Sequence, residues 1–491
     1  MSQLRPIMFV GTGSDVGKSI VNAAFCRIFL QDGYRPAPFK AQNMSLNSYA
    51  TPEGYEIGRA QAVQSEACGI PCHTDMNPVL LKPTSDKSSQ VVLHGRPVGN
   101  QTAKEYFLGN NKLRLFEEAL SAFHRLAEQY CPIVIEGAGS ISEINLKDRD
   151  ITNMRMALAT GAVTYLVADI NKGGIFGSVY GTILLLSDAE RAAIKGIIIN
   201  KFRGDATLFA EGKIMLEQLT GKPVVGILPY FTDIYIDDED SVALDAKHRH
   251  PAEGCINVAV VLLGKMSNFT DFSVLEHHPD IHLYYTASPA ELQRADIIIL
   301  PGSKNSVADL EELHRSGVVQ IIQEAHHSGV TVIGICGGYQ MMGHSVADPL
   351  GLDGGAAMAD GIGLLSLRTV IEADKVTQQR QFRFRGNSSI CNGYEIHMGR
   401  TELESGEDSP LCHSIDGSTD GYWLSERCWG TYMHGILDNP VVVESLLAPF
   451  ADKRSGKSYD FNQFKQNQYA KLAEVVRKHV DMDLIYSQLK Y

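Results

Sequence analysis

No pair of cysteines in this sequence has the spacing Cys-x-x-Cys, although nine cysteines are present. Zinc-knuckle and thioredoxin-type motifs are therefore absent. An odd number of thiols scattered over 491 residues is not a disulfide framework either, and reduced cysteines in a cytosol are expected. No apolar run approaches the roughly 18 residues that a membrane helix needs. The opening MSQLRPIMFVGTGSD lacks the apolar stretch and cleavage site of a secretory signal. Together these predict a cytoplasmic protein with no membrane partner. Positive charge is in deficit, with 44 Lys and Arg against 57 Asp and Glu, a net charge of −13. That argues against a general nucleic-acid or anionic-membrane binder, while leaving room for a local basic pocket. Repeats and low-complexity tracts are missing as well.

What is present is ordinary globular protein, 44% hydrophobic and 21% charged. The chain is too long for one hydrophobic core, which stops growing near ~250–300 residues. Near-continuous apolar runs at 7–11 (IMFVG), 133–137 (IVIEG), 163–170 (VTYLVADI), 196–201 (GIIINK) and 224–229 (VVGILP) predict strands buried on both faces. Helical candidates such as 112–129 and 206–220 lie between them. A polar, acidic stretch then interrupts the rhythm. A second series follows at 256–263, 295–301 and 330–335, with β-like segments at 381–385, 393–398 and 421–432. We expect an α/β protein of two domains, each built on a parallel sheet. The boundaries predicted are 1–235 for the first domain, 236–252 for a linker, 253–450 for the second domain and 451–491 for a helical tail.

Two glycine turns carry the chemistry. The first, GTGSDVGKS at 11–19, follows a strand and leads into a helix. Backbone N–H groups from Gly11, Thr12, Gly13 and Gly17 would cradle phosphates there. Lys18 would reach the terminal phosphates, and the Ser19 hydroxyl would bind Mg²⁺. Five residues separate Gly11 from Gly17, one more than in the standard phosphate loop. Lys40 and Gln42, in FKAQN, end a candidate strand and can face the same phosphates. Glu136, in IEGAGS, ends another at the ligand-binding edge of an open sheet. Asp148 and Asp150, in KDRD, follow closely and are candidates to position a metal or a substrate carboxylate.

The second turn, VTVIGICGGYQMMG at 330–343, is a strand–elbow–helix with Cys336 in a G-x-C-x-G frame. Small neighbours permit the strained turn that lifts a nucleophile above a sheet. A helix start behind the thiol favours thiolate. His434, in GTYMHGI with glycines on both sides, is the candidate base. Gly302, in ILPGSKNS, and Gly337 are positioned to offer backbone N–H groups as an oxyanion hole.

The longer phosphate loop resembles dethiobiotin synthetase and its relatives, which phosphorylate a carboxylate or carbamate with ATP. That resemblance implies a metal role for Glu136 and an adenine contact for Asn200, in IIINKF. Strand–PG, then G-x-C-x-G, then a late histidine resembles the flavodoxin-like class I glutamine amidotransferases, which release ammonia through a γ-glutamyl thioester. Their glutamate two residues after the histidine is here Ile436, so a Cys336–His434 dyad is assigned, with Glu395 and Glu444 as alternatives for a third member.

KAQNMSLNS at 40–48, EGAGSISEINLKDRDITNM at 136–154, ADINKGGIFGS at 168–178, GYEIHMGRT at 393–401 and YMHGILDN at 432–439 resemble in combination the cobyrinic and cobyric acid amidotransferases of cobalamin biosynthesis. The resemblance implies ATP, Mg²⁺ and glutamine as requirements. It also implies a corrinoid acid as substrate, amidated at the b, d, e and g carboxylates of adenosylcobyrinic acid a,c-diamide. Cobyrinic acid a,c-diamide synthase is a neighbouring reading, but KAQNMSLNS stands where that enzyme has a Gly-Pro-Asp-Tyr type segment. CTP synthase joins the same two activities yet keeps the His-x-Glu missing here. A regulatory P-loop ATPase with a non-catalytic glutaminase-like domain leaves Cys336, His434 and the two oxyanion glycines without a purpose.

Overall fold

The computed structural model describes residues 3–85, 88–102, 112–237, 244, 247–352, 357–457 and 459–491. The chain forms two compact units. In the first, six parallel strands stand in the order Val224–Pro229, Ile194–Phe202, Val163–Asp169, Ile7–Gly11, Ile133–Glu136, Ala37–Phe39. Ile7–Gly11 is buried along its whole length, as a central strand covered on both faces must be. The strand's carboxyl end runs into the glycine loop and then the helix Lys18–Gln31, whose Val21, Phe25, Ile28 and Phe29 pack on the sheet. The apolar runs expected to be strands are strands, with bounds shifted by no more than two residues at either end. A smaller sheet, Gln42–Met44, Val79–Ser85, Ser88–Leu93 and Arg96–Thr102, has no counterpart in the sequence reading.

The second unit repeats the plan. Ile281–Thr286, Ile256–Val261, Ile297–Leu300, Thr331–Ile335 and Cys428–Thr431 are parallel neighbours in that order, and Tyr422–Ser425 closes the edge antiparallel. Beside it, Leu367–Phe384 and Cys391–Leu403 form a long antiparallel pair. The predicted segments 381–385 and 393–398 are short pieces of that pair. It reads weakly in sequence because much of it is only half-buried.

Chain and unit boundaries differ from a simple succession. Leu46–Glu56 belongs to the second unit, and the chain returns to the first at Ile57. Gln463–Tyr491 groups with the first unit. There Tyr469, Leu472 and Val476, on one face of the helix Phe461–His479, join Phe25 and Phe29 in a single buried cluster with Ile485 and Leu489. The final helices are thus core rather than tail. Of the predicted linker 236–252, residues 238–243, 245 and 246 lie outside the described residues. Among the described residues no helix is long and apolar enough to cross a membrane.

Candidate active site

At the carboxyl edge of the first sheet the glycine loop closes on itself. Gly17 has φ +94°, and a Cβ there would collide with the Asn200 amide, so glycine is required on both counts. Lys18 is buried, and its Nζ donates to the carbonyls of Gly13 at 3.0 Å and Gly139 at 2.9 Å. Asn200 Nδ2 donates to the Val16 carbonyl at 2.9 Å, and its Oδ1 accepts from Lys201 N at 2.8 Å. The side chain expected at the adenine edge is thus hydrogen-bonded to the loop through Val16.

Glu136 is the centre of this region, 1% exposed. Its Oε1 accepts from the Ser19 hydroxyl at 2.8 Å and from Lys40 Nζ at 2.9 Å, and its Oε2 from Gln64 Nε2 at 2.5 Å. A buried carboxylate without such partners would be strongly unfavourable. Ser19 and Glu136 supply two hard oxygen donors side by side, a set that suits Mg²⁺, which keeps phosphate and water ligands for the rest of its shell. Gln64, on the helix Arg59–Ala67, was not visible in the sequence, since nothing in RAQAVQSEA separates a ligand from a core polar residue.

Asp150 accepts from the N–H groups of Thr152 at 2.8 Å and Asn153 at 3.2 Å. Asn153 in turn brackets Ala138 through both amide atoms, at 3.0 and 2.8 Å. Asp150 thereby anchors the loop after Glu136. Gln42 Oε1 accepts from Lys112 Nζ at 3.4 Å. Burial pushes the Lys112 ammonium down to about 8 against the opposing pull of Asp150. Asp148 is exposed on the turn Lys147–Arg149, apart from these contacts.

In the second unit, Thr331–Ile335 and Cys428–Thr431 are adjacent parallel strands with Ile335 opposite Thr431. The residue after the first strand is Cys336, and His434 comes three residues after the second, so pairing alone brings thiol and imidazole to one edge. Cys336 has φ 53° and ψ −111°, a conformation costing on the order of 1–3 kcal/mol that the surroundings must enforce. They do so by close packing. A Cβ at Gly338 would collide with the Leu300 carbonyl, and one at Gly334 would lie 2.6 Å from Met342 Sδ. Cys336 N donates to Thr431 O at 2.8 Å, and its Sγ faces the Ile396 carbonyl at 3.6 Å.

His434 is 1% exposed. Its Nδ1 lies 2.6 Å from Asp271 Oδ2, while Asp271 Oδ1 accepts from Gly435 N at 3.0 Å. Burial opposes a charge on the ring, but the Asp271 carboxylate and the hydrogen-bonded Cys336 sulfur prevail and raise it to about 10. The nearby His397 is stacked on Tyr432 at 3.8 Å, and burial pushes it down to about 4. The Asp271 carboxylate thus favours the charged form of the first ring, and burial favours the neutral form of the second. Gly302 lies against the His434 ring, where a Cβ would be 3.5 Å from Cε1, and a Cβ at Gly337 would be 2.6 Å from Ser303 N. Both glycines expected at an oxyanion site thus border the thiol–imidazole pair.

The third partner is Asp271, 163 residues before the histidine. Neither glutamate considered from the sequence fills that place. Glu395 accepts from Gln378 at 2.6 Å and faces Arg380, and Glu444 pairs with Arg454 at 2.7 Å. Ile436, where a glutamate would have stood, is fully buried in the core.

A carboxylate–imidazole–thiol series in one unit and a phosphate loop over a buried acid in the other define an amidotransferase joined to a nucleotide-binding unit. Residues 7–242 match the CobQ/CobB/MinD/ParA nucleotide binding domain, and residues 257–442 match the CobB/CobQ-like glutamine amidotransferase domain. The cobyric acid synthase of Parabacteroides distasonis is 61% identical over 99% of both chains. That of Bacteroides fragilis is 60% identical over 99% of this chain and 98% of its own. The Salmonella agona enzyme is 44% identical over 98% of each. The chain belongs to the cobyric acid synthase family, glutamine-hydrolysing ligases of cobalamin biosynthesis.

Proposed function

We propose that the chain amidates adenosylcobyrinic acid a,c-diamide at its b, d, e and g carboxylates to give adenosylcobyric acid, using ATP to activate each acid and glutamine as the nitrogen source. A carboxylate is a poor electrophile near neutral pH, whereas an acyl phosphate is a good one. In the first unit the amides of Gly11–Ser19 and the Lys18 ammonium hold the transferring phosphates. Lys18 exchanges its carbonyl partners for phosphate oxygens, a charge-assisted bond that is the stronger of the two. Mg²⁺, when bound by Ser19 and Glu136, neutralises phosphate charge. Lys40 holds Glu136, Asn200 braces the loop, and Asp150 secures the turn after Glu136. Gln42 and Lys112 face the acid to be activated, and Asp148 stands outside this set.

In the second unit Cys336 attacks the side-chain amide of glutamine as a thiolate paired with the His434 imidazolium. Backbone N–H groups at Gly302 and Gly337 take the developing oxyanion. His434 donates its proton to the departing ammonia, and water then cleaves the thioester. Asp271 holds the ring through Nδ1 and leaves the other nitrogen to the sulfur, the orienting role of the carboxylate in other triads. Ammonia displaces phosphate from the activated acid and leaves an amide. The corrinoid is substrate rather than cofactor, and nine free cysteines suit a reducing cytoplasm.

The observation that carries this reading is the Asp271–His434–Cys336 series in a chain that also has a phosphate loop. Mass spectrometry of corrinoid acids incubated with enzyme, ATP, Mg²⁺ and glutamine tests it. Each converted acid exchanges OH for NH₂, and the a,c-diamide is expected to undergo that exchange four times. An unchanged corrinoid mass alongside ATP hydrolysis overturns the substrate assignment.

A further inference from the structure

One segment near the thiol comes from an unexpected part of the sequence. Leu46–Glu56 lies between strands of the nucleotide-binding unit along the chain, yet it packs within the glutaminase unit. It is a tight turn, with Thr51 N donating to Tyr55 O at 2.7 Å and Gly54 N to Thr51 O at 3.0 Å. Its backbone is gripped from two sides. Asn268 Oδ1 accepts from Ser48 N at 2.9 Å, and Gln379 Nε2 donates to Ala50 O at 2.9 Å. Glu56, buried, pairs with Lys375.

The hairpin's inner face meets Tyr394. The Tyr394 hydroxyl donates to Ser48 O at 3.2 Å, and the Tyr49 ring lies 4.5 Å from the Tyr394 ring. Ala50, Tyr394 and Ile396 form one buried apolar cluster, with Tyr49 packed against it. The Tyr394 ring also stacks on the catalytic imidazole, with centroids 5.2 Å apart and planes within 22°. The two backbones also exchange hydrogen bonds, Tyr394 N to His434 O at 3.0 Å and His434 N to Tyr394 O at 2.8 Å. The turn that offers Asn268 to the hairpin is the one that offers Asp271 to His434, since Asp271 N donates to Asn268 O at 3.0 Å.

Imidazole is thus fixed edge-on by Asp271 and face-on by Tyr394, and the second support is itself held by the hairpin. We propose that Leu46–Glu56 is a positioning element of the glutaminase, keeping the Tyr394 ring flat on His434 and so keeping the imidazole at Cys336. The proposal rests on the reading that His434 serves Cys336. It assigns a purpose to the GYEIHMGRT motif and to a segment outside the matched amidotransferase region 257–442. Their contribution is orientation, and catalysis is steeply sensitive to sub-ångström placement.

The test measures ammonia release from glutamine in the full-length enzyme, separating kcat from KM. Tyr49→Ala loosens the hairpin's contact with the ring. Asn268→Gly removes its amide anchor while tolerating the left-handed backbone at that position (φ 52°). Tyr394→Phe deletes the hydroxyl link to Ser48 and keeps the ring. Each is expected to lower kcat about threefold and Tyr394→Ala about tenfold, with KM for glutamine unchanged. In Tyr49→Ala/Tyr394→Ala the loss should be no greater than in Tyr394→Ala alone, because the hairpin acts through the ring. Wild-type kcat in Tyr49→Ala and Asn268→Gly, or a rise in KM at constant kcat, overturns the proposal. Should Tyr394→Ala fail to fold, Tyr394→Phe with the two hairpin variants decides alone. Cys336→Ala is the control for the parent reading. If that variant still releases ammonia, the glutaminase assignment fails; if it is inactive and the other variants match wild type, only the hairpin's role fails.

Discussion

The phosphate loop and the cysteine turn start from the same plan, a glycine bend at the carboxyl end of a parallel strand followed by a helix, yet they are secured in different ways. Lys18 at the first is held by two carbonyls and Glu136 by three side chains. Those are polar partners that can be traded when phosphate arrives. Cys336 at the second is forced into its strained conformation by backbone packed against backbone at Gly338 and Leu300, which cannot be traded. A site that must accept a highly charged ligand keeps exchangeable contacts, whereas a nucleophile must be preset before substrate arrives.

That contrast can be broken most severely at the thiol. Cys336→Ala should reduce glutamine-dependent amidation on the order of 10⁴-fold while amidation with added ammonium continues. Equal loss with both donors in a folded protein would contradict the assignment. Lys18→Ala is expected to lower turnover about 10³-fold with either donor, because activation of the acid precedes the use of nitrogen. Steady-state rates with glutamine and with ammonium, measured side by side, separate these two variants.

Asp271→Asn sharpens the comparison within the second unit. Glutamine hydrolysis should fall about 10²-fold, with little change in KM. The carboxylate raises the imidazole toward 10, so its neutralisation lets His434 lose its proton at lower pH. The alkaline limb of the pH–rate profile should therefore move down; an unmoved limb would mean that Asp271 does not set the charge of the ring. The smallest expected effect is at Asn200. Its replacement by Ala removes one brace of the loop and should raise KM for ATP about threefold to tenfold, with glutamine hydrolysis unaffected in an ammonia-release assay.

Much of this was legible in the sequence, and the reasons are specific. Strands such as IMFVG and VTVIGI are buried on both faces and so read as unbroken apolar runs. Gly17, Gly334 and Gly338 stand where a side chain would collide, so composition there records geometry directly. Cys336 and His434 follow because each is framed by glycines at a strand end. Asp271, Gln64, Tyr394 and the hairpin Leu46–Glu56 were not legible as parts of a site. Their roles exist only through contacts spanning between 40 and 346 residues of sequence, and no local period or spacing encodes such a contact. The final helices read as a tail because the segment is polar as well as helical in spacing. That composition hides the few apolar side chains, Tyr469, Leu472 and Val476, that join the core.

The central claim is that nitrogen stripped from glutamine by the second unit enters an acid activated by the first. The direct measurement supplies glutamine carrying heavy nitrogen in its side-chain amide, together with ATP, Mg²⁺ and the corrinoid acid, and weighs the product. Heavy nitrogen in each newly formed amide is the predicted result. Product amidated with unlabelled nitrogen, or label recovered only as free ammonium while the acid stays unconverted, would contradict it.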